Sequence, residues 1–283
     1  MSPPPGFQLA NGSQHVCKLK KALYGLKQSP RAWFERFSQA VKCLGYLQSQ
    51  ADHTLFVKCV DGATTILIVY VDDIIVTGDN TAEILKMKEL LAKEFEIKDL
   101  GRLRYFLGIE VARSGDYIFI SQRKYALDLL RDTGMLGARP ANTPVEQNHK
   151  LDSQSGDLLT DASVFQRLVG RLIYLTLTRP DIAYAVSVIS QYMHAPRTSH
   201  LIAAHRILRY LKSSPGRGLL FQKHDNLRVE AFTDDDWAGA QEDRRSTSGY
   251  CTFVGGNLVT WRSKKQPVVA RSSAEAALEG TNT

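Results

Sequence analysis

The sequence predicts an α+β fold, on three observations. Strand-length apolar runs, Thr54–Val60 and Thr65–Thr77, flank the turn signal Asp61-Gly62 in the first third of the chain. Three successive helical stripes then fill about Ala162–Thr178, Pro180–Met193 and Ser199–Lys212. From Leu219 the pattern returns to strands, and this segregation of helices from strands is the mark of the class.

Taken in order, the opening residues are rich in Pro and Gly and read as extended. Val16–Leu19 could be a short strand. Ser29-Pro30 is a helix start, with Pro in the first turn, where its missing N–H costs nothing. Trp33, Phe34, Phe37, Val41 and Leu44 follow at helical spacing, and Gly45 closes the helix. After the two apolar runs, a helix is expected from about Thr81 to Phe95. Leu103–Val111 and Tyr117–Ser121 read as a strand pair around Ser114-Gly115-Asp116, followed by a helix over Gln122–Asp132. Residues 137–160 are polar and turn-rich and read as a linker. Pro180 separates the first two helices of the next block. Those helices show apolar stripes and no convergent polar cluster, which points to scaffolding, and His205 among Ile202, Leu208 and Leu211 reads as a packed or surface residue. Strands are expected at Leu219–Lys223, Arg228–Asp234, Ser248–Val254 and Leu258–Arg262, the last two joined through Gly255-Gly256-Asn257.

The chain has 283 residues, 43% of them hydrophobic, which suits a globular protein of one large or two smaller domains. Its net charge of +7 makes nucleic acid the first acidic partner to consider, beside the plainer reading of a basic surface. Cys17, Cys43, Cys59 and Cys251 are scattered, without zinc-finger spacing. No apolar run reaches membrane-spanning length, and the N-terminus lacks the regions of a signal peptide. An intracellular protein of cytoplasm or nucleus, with no membrane partner, is expected.

The most informative string is Ile66-Leu67-Ile68-Val69-Tyr70-Val71-Asp72-Asp73-Ile74-Ile75-Val76. Two carboxylates interrupt what would otherwise be a buried strand, where unpaired charge is costly. A sharp hairpin bend at the pair would expose both, and a divalent cation could neutralise them; oxygen ligands of this kind suit magnesium or manganese. A bare Asp-Asp is also compatible with an acidic turn in an ordinary hairpin.

Tyr70-Val71-Asp72-Asp73 resembles the metal-binding hairpin of reverse transcriptases. Lys20-Lys21-Ala22-Leu23-Tyr24-Gly25-Leu26-Lys27-Gln28-Ser29-Pro30-Arg31-Ala32-Trp33 upstream and Leu103-Arg104-Tyr105-Phe106-Leu107-Gly108-Ile109-Glu110 downstream are similar to copia-type retrotransposons in particular. The resemblance implies a polymerase in which two metals align the primer hydroxyl and the triphosphate for in-line displacement. It makes Asp72 a direct catalytic metal ligand and Asp73 a ligand or close supporter. It sets Lys27, Gln28 and Ser29 near template and nucleotide, and Phe106, Leu107 and Gly108 at the primer end. Lys20, Lys21, Lys27 and Arg31 would form a phosphate track, or else a solvated basic surface. The family carries a further metal-binding aspartate before the Met-Ser-Pro-Pro-Pro-Gly-Phe segment that opens this chain, so the cage is expected to be incomplete and to bind Mg2+ or Mn2+ weakly.

Near the other end, Phe232-Thr233-Asp234-Asp235-Asp236-Trp237-Ala238-Gly239, Arg244-Arg245-Ser246-Thr247-Ser248-Gly249-Tyr250 and Arg271-Ser272-Ser273-Ala274-Glu275-Ala276 are similar to the opening of the ribonuclease H domain of the same polyproteins. By that resemblance Asp234 is the first catalytic metal ligand. Ala277 stands where the family has its glutamate, and Glu279, two positions on, is rotated by roughly 200° around a helix. The resemblance implies a partial reverse-transcriptase palm and thumb over residues 1–136, a linker over 137–160, a helical connector over 161–215 and a truncated ribonuclease H-like mixed sheet over 216–283. The expected partners are an RNA template with a DNA primer, or an RNA–DNA hybrid. Three readings stay open: a fragment inactive alone, an enzyme completed by another chain, and a non-catalytic nucleic-acid-binding remnant.

Overall fold

The computed structural model describes residues 16–20, 25–71, 73–95, 97–146, 151–240 and 242–281. The chain divides into two compact units, Met1–Arg102 and Leu103–Thr283. All sheet pairing among the described residues is antiparallel. That corrects the mixed sheet expected at the C-terminus.

The first unit is a four-stranded meander with two helices. Helix α1 spans Ser29–Cys43, with Pro30 in its first turn and Gly45 at φ +86 just beyond its end. Strands β1 (Leu47–Gln48), β2 (Leu55–Val60), β3 (Ala63–Tyr70) and β4 (Asp73–Gly78) pair in sequence order, and helix α2 covers Thr81–Phe95. Alternation decides which face is buried. Thr65, Leu67 and Val69 point into the core with Phe37 and Val41 of α1, Tyr46, Phe56, and Met87 and Leu91 of α2.

One ion pair sits at the edge of this core. Lys58 Nζ donates to Glu83 Oε1 at 2.7 Å, with both side chains less than a fifth exposed, and the Lys58 ammonium lies 5.4 Å from the Tyr46 ring centroid. Burial, then the Glu83 charge, pushes the Tyr46 hydroxyl up to about 12. Glu83→Ala leaves the lysine charge desolvated, and a loss of about 2–3 kcal/mol is expected in urea unfolding of this unit. Lys58→Met together with Glu83→Leu should recover most of it.

The second unit begins with β5 (Tyr105–Phe106), β6 (Ile109–Ser114) and β7 (Tyr117–Ser121), followed by helix α3 (Arg123–Asp132). Helices α4 (Ala162–Leu175), α5 (Ala183–Ser190) and α6 (Thr198–Ser213) then bury a continuous apolar cluster, including Phe165, Leu172, Ile182, Ile189, Ile207 and Leu211, against Leu129 and Leu130 of α3. Part of the segment read as a linker is hydrogen-bonded along α6. Ala141 N–H donates to Arg209 O, Lys212 Nζ to Ala138 O, and Arg206 Nη1 to Glu146 Oε1. Further along, His200 is fully buried: its Nδ1 accepts from Arg197 N–H, its Nε2 lies 2.9 Å from Asp152 O, and its ring stacks on Tyr192 at 4.0 Å.

The helical block also holds a polar cluster that sequence reading missed. The Arg179 side chain is 1% exposed. Its guanidinium donates to both oxygens of Asp181, at 2.9 and 2.8 Å, and to Ser214 O at 2.9 Å. Asp181 Oδ2 also accepts from Tyr210 Oη and Arg217 Nη1. Arg179-Pro180-Asp181 was the available signal: a Pro-fixed turn flanked by opposite charges.

Strand β8 (Gly218–Gln222), expected to begin the C-terminal sheet, pairs with β7 and completes the sheet β5-β6-β7-β8. Gly218 makes the pairing possible, because a Cβ there would stand 2.0 Å from Ile120 O. Strands β9 (Val229–Asp236), β10 (Thr247–Val254) and β11 (Asn257–Lys265) form the third sheet, in the order β11-β10-β9, and helix α7 (Ser273–Thr281) packs on β9 and β10. Asn257 ties this sheet to β8, accepting from Gln222 N–H and donating to Gln222 O, each at 2.8 Å.

Candidate functional site

The hairpin around the aspartates is built by register. Tyr70 pairs with Asp73 across the reversal, and Val71 takes φ +51. A bend is present, and Asp73 already belongs to the strand that follows it. Asp73 opens β4 and is exposed. Ile74 and Val76 point to the core, so by alternation Asp73 lies on the opposite face, shared with its cross-strand neighbour Tyr70. Asp72 lies outside the described residues, as does Lys21.

Lys27 and Gln28 are exposed in the turn that leads into α1, and Ser29 is half-buried. Gln28 occupies the cap position without using its side chain as a cap, and Ala32 N–H donates to Gln28 O at 3.0 Å. Both side chains thus stand at the positive end of a helix, where an anion is favoured. Lys20 is exposed, and Arg31 is exposed with a loose 4.0 Å approach to Glu35. Such a pair contributes little to stability, which leaves Arg31 able to serve another anion.

In the second unit, Phe106, Leu107 and Gly108 are half-buried. Tyr105 pairs with Glu110 and Phe106 with Ile109, so Leu107 and Gly108 are a two-residue hairpin turn. Both have positive φ, +49 and +79.

The third aspartate, Asp234, is exposed on β9 opposite Gly249. All three aspartates 234–236 belong to the strand, which runs two residues further than expected. Strand alternation separates them. Asp235 is half-buried and accepts from Gln266 Nε2 at 3.2 Å; that amide also donates to Ser248 Oγ and Ala276 O, each at 2.8 Å. Asp234 and Asp236 project from the other face. Glu275 is engaged locally. Its N–H donates to Ser272 Oγ and its Oε2 accepts from Arg271 N–H, which caps α7. Ala277, where the resemblance expects a carboxylate, carries none.

A two-metal centre needs several carboxylates converging on each cation. Among the described residues, no three His, Cys, Asp or Glu side chains come together in a way that could hold a metal ion. Asp73 and Asp234 belong to different units, and among the described residues neither is part of such a group, so the described donors alone do not fit a complete site. Nor, among the described residues, is any helix long and apolar enough to cross a membrane.

Comparison with known proteins identifies the lineage. Residues 1–147 match the family described as reverse transcriptase (RNA-dependent DNA polymerase). The chain is 45% identical, over 98% of its length, to the retrovirus-related Pol polyprotein from transposon RE1 of Arabidopsis thaliana, and spans 19% of that protein. It is 36% identical, over 98% of its length, to the corresponding polyprotein from transposon TNT 1-94 of Nicotiana tabacum, and spans 22% of it. An uncharacterized mitochondrial protein of Arabidopsis thaliana is 45% identical over 74% of this chain, a match that covers 87% of that relative. No solved structure matches. Reverse transcriptases act on nucleic acid and typically use Mg2+. The chain belongs to the copia-type retrotransposon Pol polyproteins and carries part of their reverse transcriptase region.

Proposed function

We propose that these 283 residues are a nucleic-acid-gripping portion of a copia-type RNA-directed DNA polymerase with the opening of its ribonuclease H, and that by themselves they bind template and primer without catalysing either reaction. The observation that carries this reading is the exposed hairpin: Asp73 at the mouth of a tight turn, on the face away from the core. Asp73 stands in solvent beside that turn, where a cation or a nucleic-acid phosphate can reach it, and it lies within the stretch that matches the reverse transcriptase family.

Four further features support the reading. Lys20, Lys27 and Arg31 are exposed basic groups close together in sequence, and Gln28 has no capping bond from its side chain. With Lys21 they supply the phosphate contacts. The turn Phe106–Gly108 supplies the contact to the primer end. Asp234 is the metal-binding aspartate of the ribonuclease H portion. Asp72 with Asp73, and Asp234 alone, are two partial carboxylate sets for Mg2+ or Mn2+, and each needs further donors for in-line chemistry. We read residues 1–136 as palm and thumb, 137–160 as the link, 161–215 as the connector and 216–283 as the ribonuclease H portion.

The test is binding of a labelled RNA–DNA hybrid by the purified chain in magnesium-free buffer. The expected result is an affinity whose logarithm falls linearly with the logarithm of salt concentration. Absent or salt-independent binding overturns the reading.

A further inference from the structure

We propose that Tyr174, on the connector helix α4, is a positioning residue that fixes the Phe106-Leu107-Gly108 turn in the shape that reaches the primer end. This role rests on the reading of that turn as a primer contact, and its starting point is a backbone outlier.

A two-residue hairpin with positive φ at both central positions favours Asn-Gly or Asp-Gly. Gly108 meets that demand, with φ +79. Leu107 does not: it holds φ +49, a region that non-glycine residues other than Asn and Asp seldom occupy. A residue in that state persists only where its surroundings over-determine it, and such residues cluster at functional sites. The surroundings here come from α4. Tyr174 Oη donates a hydrogen bond to Leu107 O. A Cβ at Gly108 would lie 3.7 Å from Tyr174 Cε1 and 3.9 Å from Tyr125 Cδ2, so the two rings form a wall against the turn.

The wall is itself anchored. Tyr174 and Tyr125 meet edge to face, with ring centroids 5.3 Å apart. Arg171 lies over Tyr125 at 5.7 Å and donates to Asp132 Oδ2 at 2.9 Å. Helices α3 and α4 thus brace a turn of the β5-β6 hairpin, 67 residues away in sequence from the tyrosine that holds it. Asn at position 107 would adopt this turn without help from a hydroxyl. Leucine there presents an apolar side chain beside Phe106, suited to the face of a sugar or base, at the cost of a conformation that Tyr174 must hold.

The experiment compares the full chain with its Tyr174→Phe and Tyr174→Phe/Leu107→Asn variants. Phenylalanine keeps the ring contacts and removes the hydroxyl, and asparagine restores a residue that adopts the turn unaided. Two quantities are read: amide exchange over residues 106–109, and the ratio of affinities for a hybrid with a recessed 3′ end and for a blunt hybrid of equal length. In Tyr174→Phe, exchange at the turn should rise about tenfold, with the β6-β7 amides unchanged, and the preference for the recessed end should be lost. The double variant should recover slow exchange but not the preference, because the Leu107 side chain is gone. If Tyr174→Phe keeps both slow exchange and the recessed-end preference, the role proposed for Tyr174 is overturned and the primer-contact reading stands. If the unaltered chain shows no recessed-end preference, the primer-contact reading falls, and the positioning role with it.

Discussion

Arg179→Ala is expected to destabilise the unit Leu103–Thr283 by about 3–5 kcal/mol, the usual cost of removing one member of a buried, hydrogen-bonded ion pair. The guanidinium is 1% exposed and joins the 3-10 turn Pro180–Ile182 to the C-terminal end of α6 through Asp181 and Ser214 O. It also faces the Tyr210 ring at 5.8 Å. Alanine opens a cavity, leaves Asp181 with Tyr210 and the half-exposed Arg217, and removes the donor to Ser214 O. Arg179→Met with Asp181→Leu should be far milder, since no buried charge is left alone.

The same cluster makes a pH prediction with a definite sign. Burial alone would push the Asp181 carboxyl up; the hydrogen bonds and charge of Arg179, helped by Tyr210 and Arg217, outweigh it and hold the group below the usual carboxylate range. A depressed folded value contributes stability that is present above the unfolded value, about 3.9, and is lost as pH falls through the folded one. In Arg179→Ala, burial remains while the main compensating partner is gone. The difference between the two proteins should therefore be widest near neutral pH and narrow as pH falls. Urea unfolding followed across that range measures it; a constant difference would mean that Asp181 does not couple to Arg179.

Neutralising Lys20, Lys21, Lys27 and Arg31 together is expected to weaken hybrid binding on the order of a hundredfold at low salt and to reduce the log–log salt slope by about 3, from roughly 0.7–0.9 per phosphate contact. Lys20, Lys27 and Arg31 are exposed, and among the described residues the one ion pair they make, Arg31 with Glu35, is loose. Thermal unfolding should therefore be unchanged, which separates lost contacts from lost fold. An unchanged slope would show that the phosphate track lies elsewhere on the chain.

The parts of the fold legible in the sequence were those governed by local chemistry. Ser29-Pro30 marks a helix start and Gly45 its end because both act through their own backbone preferences. The aspartate bend was legible because carboxylates do not belong inside an apolar strand. What was not legible is long-range. Nothing local tells β8 to pair with β7 rather than with β9, since the missing Cβ at Gly218 matters only once the distant Ile120 O lies against it. The polar cluster of Arg179, Asp181, Tyr210 and Arg217 escaped for the same reason: its members come from a turn, a helix and a loop, and only packing brings them together. At the candidate site, residue types and motif order were readable. Tyr174 was not, because a tyrosine in an apolar helical stripe looks like core until its hydroxyl is seen against Leu107.

The central claim is that these residues grip nucleic acid but do not by themselves complete a catalytic carboxylate cage. Its most direct test is primer extension on an RNA template by the purified chain, with magnesium and no second protein. The template–primer should be bound and the primer recovered at its original length. Elongation of the primer, abolished by Asp73→Asn, would contradict the claim and show that the hairpin carboxylates find all the partners they need within these 283 residues.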